Sequence, residues 1–259
     1  GTNFALSAAE VLAVRANALN VPGVELDPPG VFDPGPWQAT RIPDEIEPPR
    51  QQERPGFLDL ASANMAYHKE SGEMHLEVQL RGTLPTTALP EPPCEFWFLA
   101  DTDGDAGTGI PPEQLRLAGL PRDRAGFEGA DLLMRATFVP GPKERLILTH
   151  DVIGLGRDGD VRDLTDAFRA EVRDMAVYRV LAGPDDKLGR DRSVIANSIA
   201  WISHPDLPLF DAVPRPPIDP AEPKPVKVPV QALISIAGDE TDVLDPENRG
   251  LPLVLEDPS

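Results

Sequence analysis

Residues 57–82 read FLDLASANMAYHKESGEMHLEVQLRG, and this stretch decides the fold. In its second half Met74, Leu76, Val78 and Leu80 alternate strictly with polar residues. That period of two marks a strand with one buried face. Leu58, Leu60 and Ser62 carry the same alternation in the first half, and the polar stretch Glu70–Glu73 separates the two runs. The pattern predicts a half-buried antiparallel hairpin. His68 and His75 flank the turn and are expected to face each other across it, in a surface or packing role.

The strand signal continues outward. CEFWFLAD, residues 94–101, is almost wholly apolar and is expected to lie centrally in a sheet. Five more apolar runs follow, each bounded by Gly, Pro or Asp: ADLLMRATFV (130–139), ERLILTHDVIG (144–154), AEVRDMAVYRVLAG (170–183), RSVIANSIAWIS (192–203) and VKVPVQALISIAG (226–238). Short strands at this spacing predict an antiparallel β-sandwich, jelly-roll-like. LTDAFRAEVRD (164–174) leaves a short helix open within that series.

Composition agrees with a β protein. The 259 residues include 31 prolines and 21 glycines, which disfavours long helices and favours short strands between structured loops. Residues 1–56 are read as an N-terminal helix or arm followed by a proline-rich strap. Ser7 and Glu10 form a capping box over residues 4–19, so a helix is one reading. A donated strand that adds to another subunit is the other. The sandwich is assigned to 57–205, and 206–259 to a second proline-rich strap with C-terminal strands packing on it.

A formal net charge of −19 disfavours nucleic acid and anionic membrane surfaces as partners. There is no apolar run of 18 residues, so no membrane insertion is expected. The opening GTNFALSAAE has neither an initiator Met nor a basic segment and reads as a mature form whose signal has been removed. The single cysteine, Cys94, allows no intrachain disulfide and is expected to be a buried, unreactive thiol.

The central strand runs straight into DTDGDAGTG, residues 101–109. Asp101, Asp103 and Asp105 are spaced two apart, and carboxylates that close repel one another unless a cation lies between them. Hard cations such as Ca²⁺ take six to eight oxygen ligands, and Gly104 and Gly107 permit the curl that lets three aspartates converge. The pattern fails as an EF-hand. Ala106 stands at the invariant glycine position, Pro112 at the bidentate glutamate position, and a strand rather than a helix precedes the loop.

The loop, together with Gly129-Ala130-Asp131 at the next strand, resembles a bacterial extracellular calcium-binding β-sandwich module. Such modules, organised like DOMON and carbohydrate-binding sandwiches, end one strand in D-x-D-x-D-x-x-T-G and open the next with G-x-D. The resemblance covers roughly 57–205 and departs at Leu132, where the family often has tyrosine. It implies calcium as a structural staple held by Asp101, Asp103 and Asp105. Asp131 or Glu128 would close the site, with Thr108 supplying an oxygen or fixing the loop. A second acidic turn, GRDGDVRDLTD (156–166), contains Arg157 and Arg162 and reads as an ordinary solvated turn.

Metalloprotease, serine hydrolase and nucleotide-binding motifs are absent from the sequence. The expectation is a non-enzymatic module, extracellular or at the cell surface. It would assemble with itself as a homo-oligomer, filament or surface layer, or dock to a surface protein or polysaccharide. A carbohydrate-binding module is the alternative, and a glycoside hydrolase a more distant one. Glycan binding wants exposed aromatic platforms, but aromatics make up 5% of the chain. Trp97 and Trp201 sit in apolar strands and read as core, whereas Trp37 lies on the strap.

Overall fold

The computed structural model describes residues 37–43, 56–68, 71–80, 84, 94–121, 129–140, 146–181, 189–204, 212–216, 226–236, 239–244 and 250–253. The helix-or-arm segment 4–19 and most of both straps lie outside these residues. The strands are β1 (Trp37–Pro43), β2 (Leu60–His68), β3 (Met74–Leu80), β4 (Cys94–Ala100), β5 (Leu132–Pro140) and β6 (Leu146–Leu155). They continue with β7 (Val161–Asp163), β8 (Phe168–Leu181), β9 (Gly189–Ser203), β10 (Val226–Ile236), β11 (Asp239–Leu244) and β12 (Gly250–Leu253). One short α-helix, α1, spans Pro112–Leu117.

Two antiparallel sheets result. The first has the order β1-β2-β3-β9-β8; the second has the order β11-β10-β4-β5-β6-β7, with β12 paired to the start of β10. Leu76, Val78 and Trp201 of the first sheet join Phe96, Phe98, Met134 and Ile234 of the second in one buried core. This is a β-sandwich. β4 lies between β10 and β5, the central position its almost wholly apolar run favours. The C-terminal β10 is thus a member of the second sheet, and residues 37–43 of the first strap form edge strand β1.

The hairpin is not half-buried as expected, because its polar face is covered as well, with Asn64, His75, Glu77 and Gln79 all buried, and it departs from the simple alternation at one place. The β2–β3 register shifts between Leu60 and Ser62, so one extra residue turns Ser62 to the outer face. There its hydroxyl bonds Gln79 Oε1 at 3.1 Å, and the inward positions become Ala63 and Met65. His68 and His75 do not oppose each other: His75 pairs with Ala66, and His68 with Trp37 of β1. The open helix at 164–174 is a single 3-10 turn, Thr165–Ala167, before β8 begins. Cys94 is fully buried, and burial first, then the neighbouring Glu95, pushes its thiol up to about 12. No described helix is long and apolar enough to cross a membrane.

Candidate metal centre

The centre is built at the ends of β4 and β5. Ala100 pairs with Leu132, and Asp131 N–H donates to the Ala100 carbonyl at 2.9 Å. The ladder therefore sets Asp101 and Asp131 side by side. Side-chain alternation turns them outward, because Ala100 and Leu132 belong to the interior core. Both carboxylates are nonetheless buried, at 3% and 0% exposure. Asp103, partly buried, completes a group of three that could hold a metal ion: one oxygen from each lies within 4.8 Å of the others. Two unit charges at that separation repel by roughly 3–4 kcal/mol at an effective dielectric near 20.

Part of that charge is met by N–H and O–H groups. Asp131 Oδ2 accepts from the amides of Thr102 at 2.8 Å and Asp103 at 3.2 Å. The Thr102 hydroxyl lies 3.0 Å from the same oxygen and 2.8 Å from the Pro214 carbonyl. Asp101 Oδ1 accepts from the Gly104 amide at 2.7 Å. Asp131 Oδ1, by contrast, is fully buried and has no hydrogen-bond partner. Among the described residues no lysine or arginine pairs with any of the three. A buried carboxylate oxygen without a partner is costly. It gives the centre a donor with hard oxygen chemistry that nothing among the described residues satisfies.

The electrostatics follow. Burial, reinforced by Asp131 and Asp103 against the Gly104 amide, pushes the Asp101 carboxyl up to about 7. Burial and the Asp103 charge, opposed by Thr102 and the Asp103 amide, push Asp131 up to about 6. Both shifts express the same physical situation: several oxygens share a dry space with no cation to favour their ionised form.

The remaining expected ligands sit differently. Asp105 is exposed and outside the group of three; its Oδ1 accepts from the Gly107 amide at 2.8 Å. The Thr108 hydroxyl lies 3.2 Å from Asp103 Oδ2 and 2.9 Å from the Asp105 carbonyl, fixing the loop. Glu128 lies outside the described residues. Gly104 takes a left-handed φ of 73°, but the second left-handed residue of the loop is Gly109 rather than Gly107. Gly109 crosses Gly129 so closely that an added Cβ would stand 2.7 Å from the Gly129 carbonyl carbon. A Cβ on Gly129, at φ 84°, would lie 2.8 Å from Asp101 Oδ2. The glycine before Ala130-Asp131 is therefore room for the loop to pass. Thr102 is the residue sequence reasoning missed. Its place between two acids was the available sign, because only a burial pattern distinguishes it from a loop spacer.

Comparison of the chain with protein-family models, with curated proteins and with solved structures gave no match.

Proposed function

We propose that this is a calcium-stabilised β-sandwich module that serves a structural or docking role outside the cell. The observation that carries it is Asp131, whose carboxylate groups with those of Asp101 and Asp103 and whose Oδ1 is buried without a hydrogen-bond partner among the described residues. The all-oxygen donor set suits a hard cation, and Ca²⁺ accepts such sites with carbonyls and water completing the shell. When bound, the cation supplies the positive charge that the three carboxylates lack. Asp131 would bind from the strand side, and Asp101 and Asp103 from the loop side. The role is that of a staple between consecutive strands. The support for an extracellular setting is the millimolar calcium found there, which matches a site of only three acids.

The same reading assigns no reaction to the chain. It leaves self-assembly or capture of a surface partner as the use of the module. Two of the three tryptophans, Trp97 and Trp201, are fully buried and present no stacking platform.

Thermal unfolding in calcium and in EGTA tests the metal. A ligand that binds only the folded state at 100 times its Kd stabilises by about 2.7 kcal/mol, which raises Tm by roughly 5–10 °C for a chain of this size. Asp103→Ala should abolish most of that rise. Equal melting in both buffers for the unmutated chain contradicts the reading. Light scattering with and without EGTA tests assembly: a strictly monomeric particle at high concentration in calcium removes the self-association part.

A further inference from the structure

The second sheet carries an apolar cluster on its outer face as well as its inner one. Trp97, Leu99, Leu133 and Leu233 form it, all 2% exposed or less. Among the described residues no further sheet covers them. The segment 101–121 does, by sending Ile110, Leu115 and Leu120 into the cluster. α1, at six residues, is too short to be stable by itself. The cover therefore depends on how its ends are held. At the far end Arg135 Nη1 donates to the Ala118 carbonyl at 3.1 Å while its guanidinium lies 5.5 Å from the Trp97 ring centroid. In the middle the Ile110 amide donates to the Ala130 carbonyl at 2.6 Å. At the near end the holding groups are the carboxylates Asp101, Asp103 and Asp131 themselves.

The near end is the weak one as the chain stands. Its three acids repel, and one buried oxygen is unpartnered. Arg135 at the far end has Asp151 as a countercharge at 2.5 Å. We propose that cation binding at the cluster and closure of residues 104–121 over the outer face of the sheet are one coupled equilibrium. The bound ion holds the cover shut, and its loss bares the patch around Trp97 and Leu99. The proposal rests on the reading of the cluster as a cation site and adds what the ion controls. Coupling of this kind is reciprocal: whatever the ion does for closure, closure does for ion affinity.

Hydrogen exchange read by mass spectrometry, with Ca²⁺ alone as the ligand, tests both directions. In EGTA the amides of 110–121 should exchange at least about fivefold faster than in calcium, with a smaller change in β2 and β3. Leu115→Ala, outside the carboxylate group, should weaken calcium binding by about fivefold or more, and Leu115→Met should restore it. If calcium binds but leaves exchange in 110–121 unchanged, or changes it no more than in β2 and β3, the coupling is overturned and the site stands. Unchanged affinity in Leu115→Ala overturns the coupling in the same way. If the unmutated chain binds no calcium, the site reading and the coupling both fall. Should Leu115→Ala not fold, the exchange comparison on the unmutated chain decides alone.

Discussion

Two acidic turns on the second sheet look alike on paper and differ in what surrounds their charge. At 101–105 three aspartates alternate, and Asp101 is buried and pairs with no lysine or arginine among the described residues. At 156–163 Asp158, Asp160 and Asp163 lie nearly as close in sequence, but all three are exposed. Asp158 pairs with Arg162 four residues on. The turn closes on its own backbone, with Gly156 N–H to the Asp160 carbonyl at 2.8 Å. Their acidities move in opposite directions. Asp158 is held below its ordinary value, by the Asp160 amide first and Arg162 after it, whereas Asp101 is pushed up. Burial and the lack of a countercharge among the described residues, not the number of acids, distinguish the candidate cation site from a solvated turn.

The comparison breaks most severely at Asp131. Asp131→Ala removes one carboxylate of the cluster, which is also the acceptor for the Thr102 and Asp103 amides. It should lose the whole calcium response and a further 1–3 kcal/mol from stranded donors, roughly 4–6 kcal/mol in calcium by chemical denaturation. Full retention of the calcium response would place the cation elsewhere.

Next in size is Gly129→Ala. The substitution forces a Cβ to 2.9 Å from the Ala106 Cα at a left-handed backbone position. A cost of about 1–3 kcal/mol is expected, with weaker calcium binding. A neutral variant would show that the loop does not pass where the structure places it.

A third test uses acid. In EGTA, the Asp101 and Asp131 carboxyls are pushed up in the fold to about 7 and about 6, against an ordinary aspartate value of 3.8. A raised carboxyl is still protonated in the fold where the unfolded chain has already ionised. Its contribution is therefore complete below pH 3.8 and is lost as pH rises through about 7. Metal-free protein should lose Tm over that interval, and saturating calcium should flatten the trend. The second turn contributes with the opposite sign: the depressed Asp158 stabilises above its unfolded pKa, and that share is lost on acidification. A metal-free Tm that climbs from pH 4 to 7 would contradict the assignment of the raised groups. The smallest effect is expected from Asp158→Asn, which should leave calcium affinity unchanged by calorimetry.

Much of this was legible in the chain. The alternation of Met74 to Leu80 specified a strand, because a period of two admits no helix, and the short, aromatic-rich apolar run of β4 specified another by its length and composition. The D-x-D spacing and the following Gly-Ala-Asp brought Asp101, Asp103 and Asp131 forward as ligands. What stayed hidden depends on three-dimensional placement. The bulge at β2 adds one residue, and nothing in LASAN marks which one. β11 and β12 lie in an acidic, turn-rich tail, where pairing with β10 overrides weak local propensity. α1 is a single short helix whose value comes from burying Leu115 against the sheet rather than from its own sequence. Asp105 shares the spacing of its neighbours, but the curl that gathers Asp101 and Asp103 leaves it in solvent.

The most direct test is a calorimetric titration of Ca²⁺ into metal-stripped protein. The account predicts saturable binding at one site per chain, abolished in Asp131→Ala and intact in Asp158→Asn. A flat titration of the unmutated chain at millimolar calcium, with the fold verified in the same sample, would contradict it.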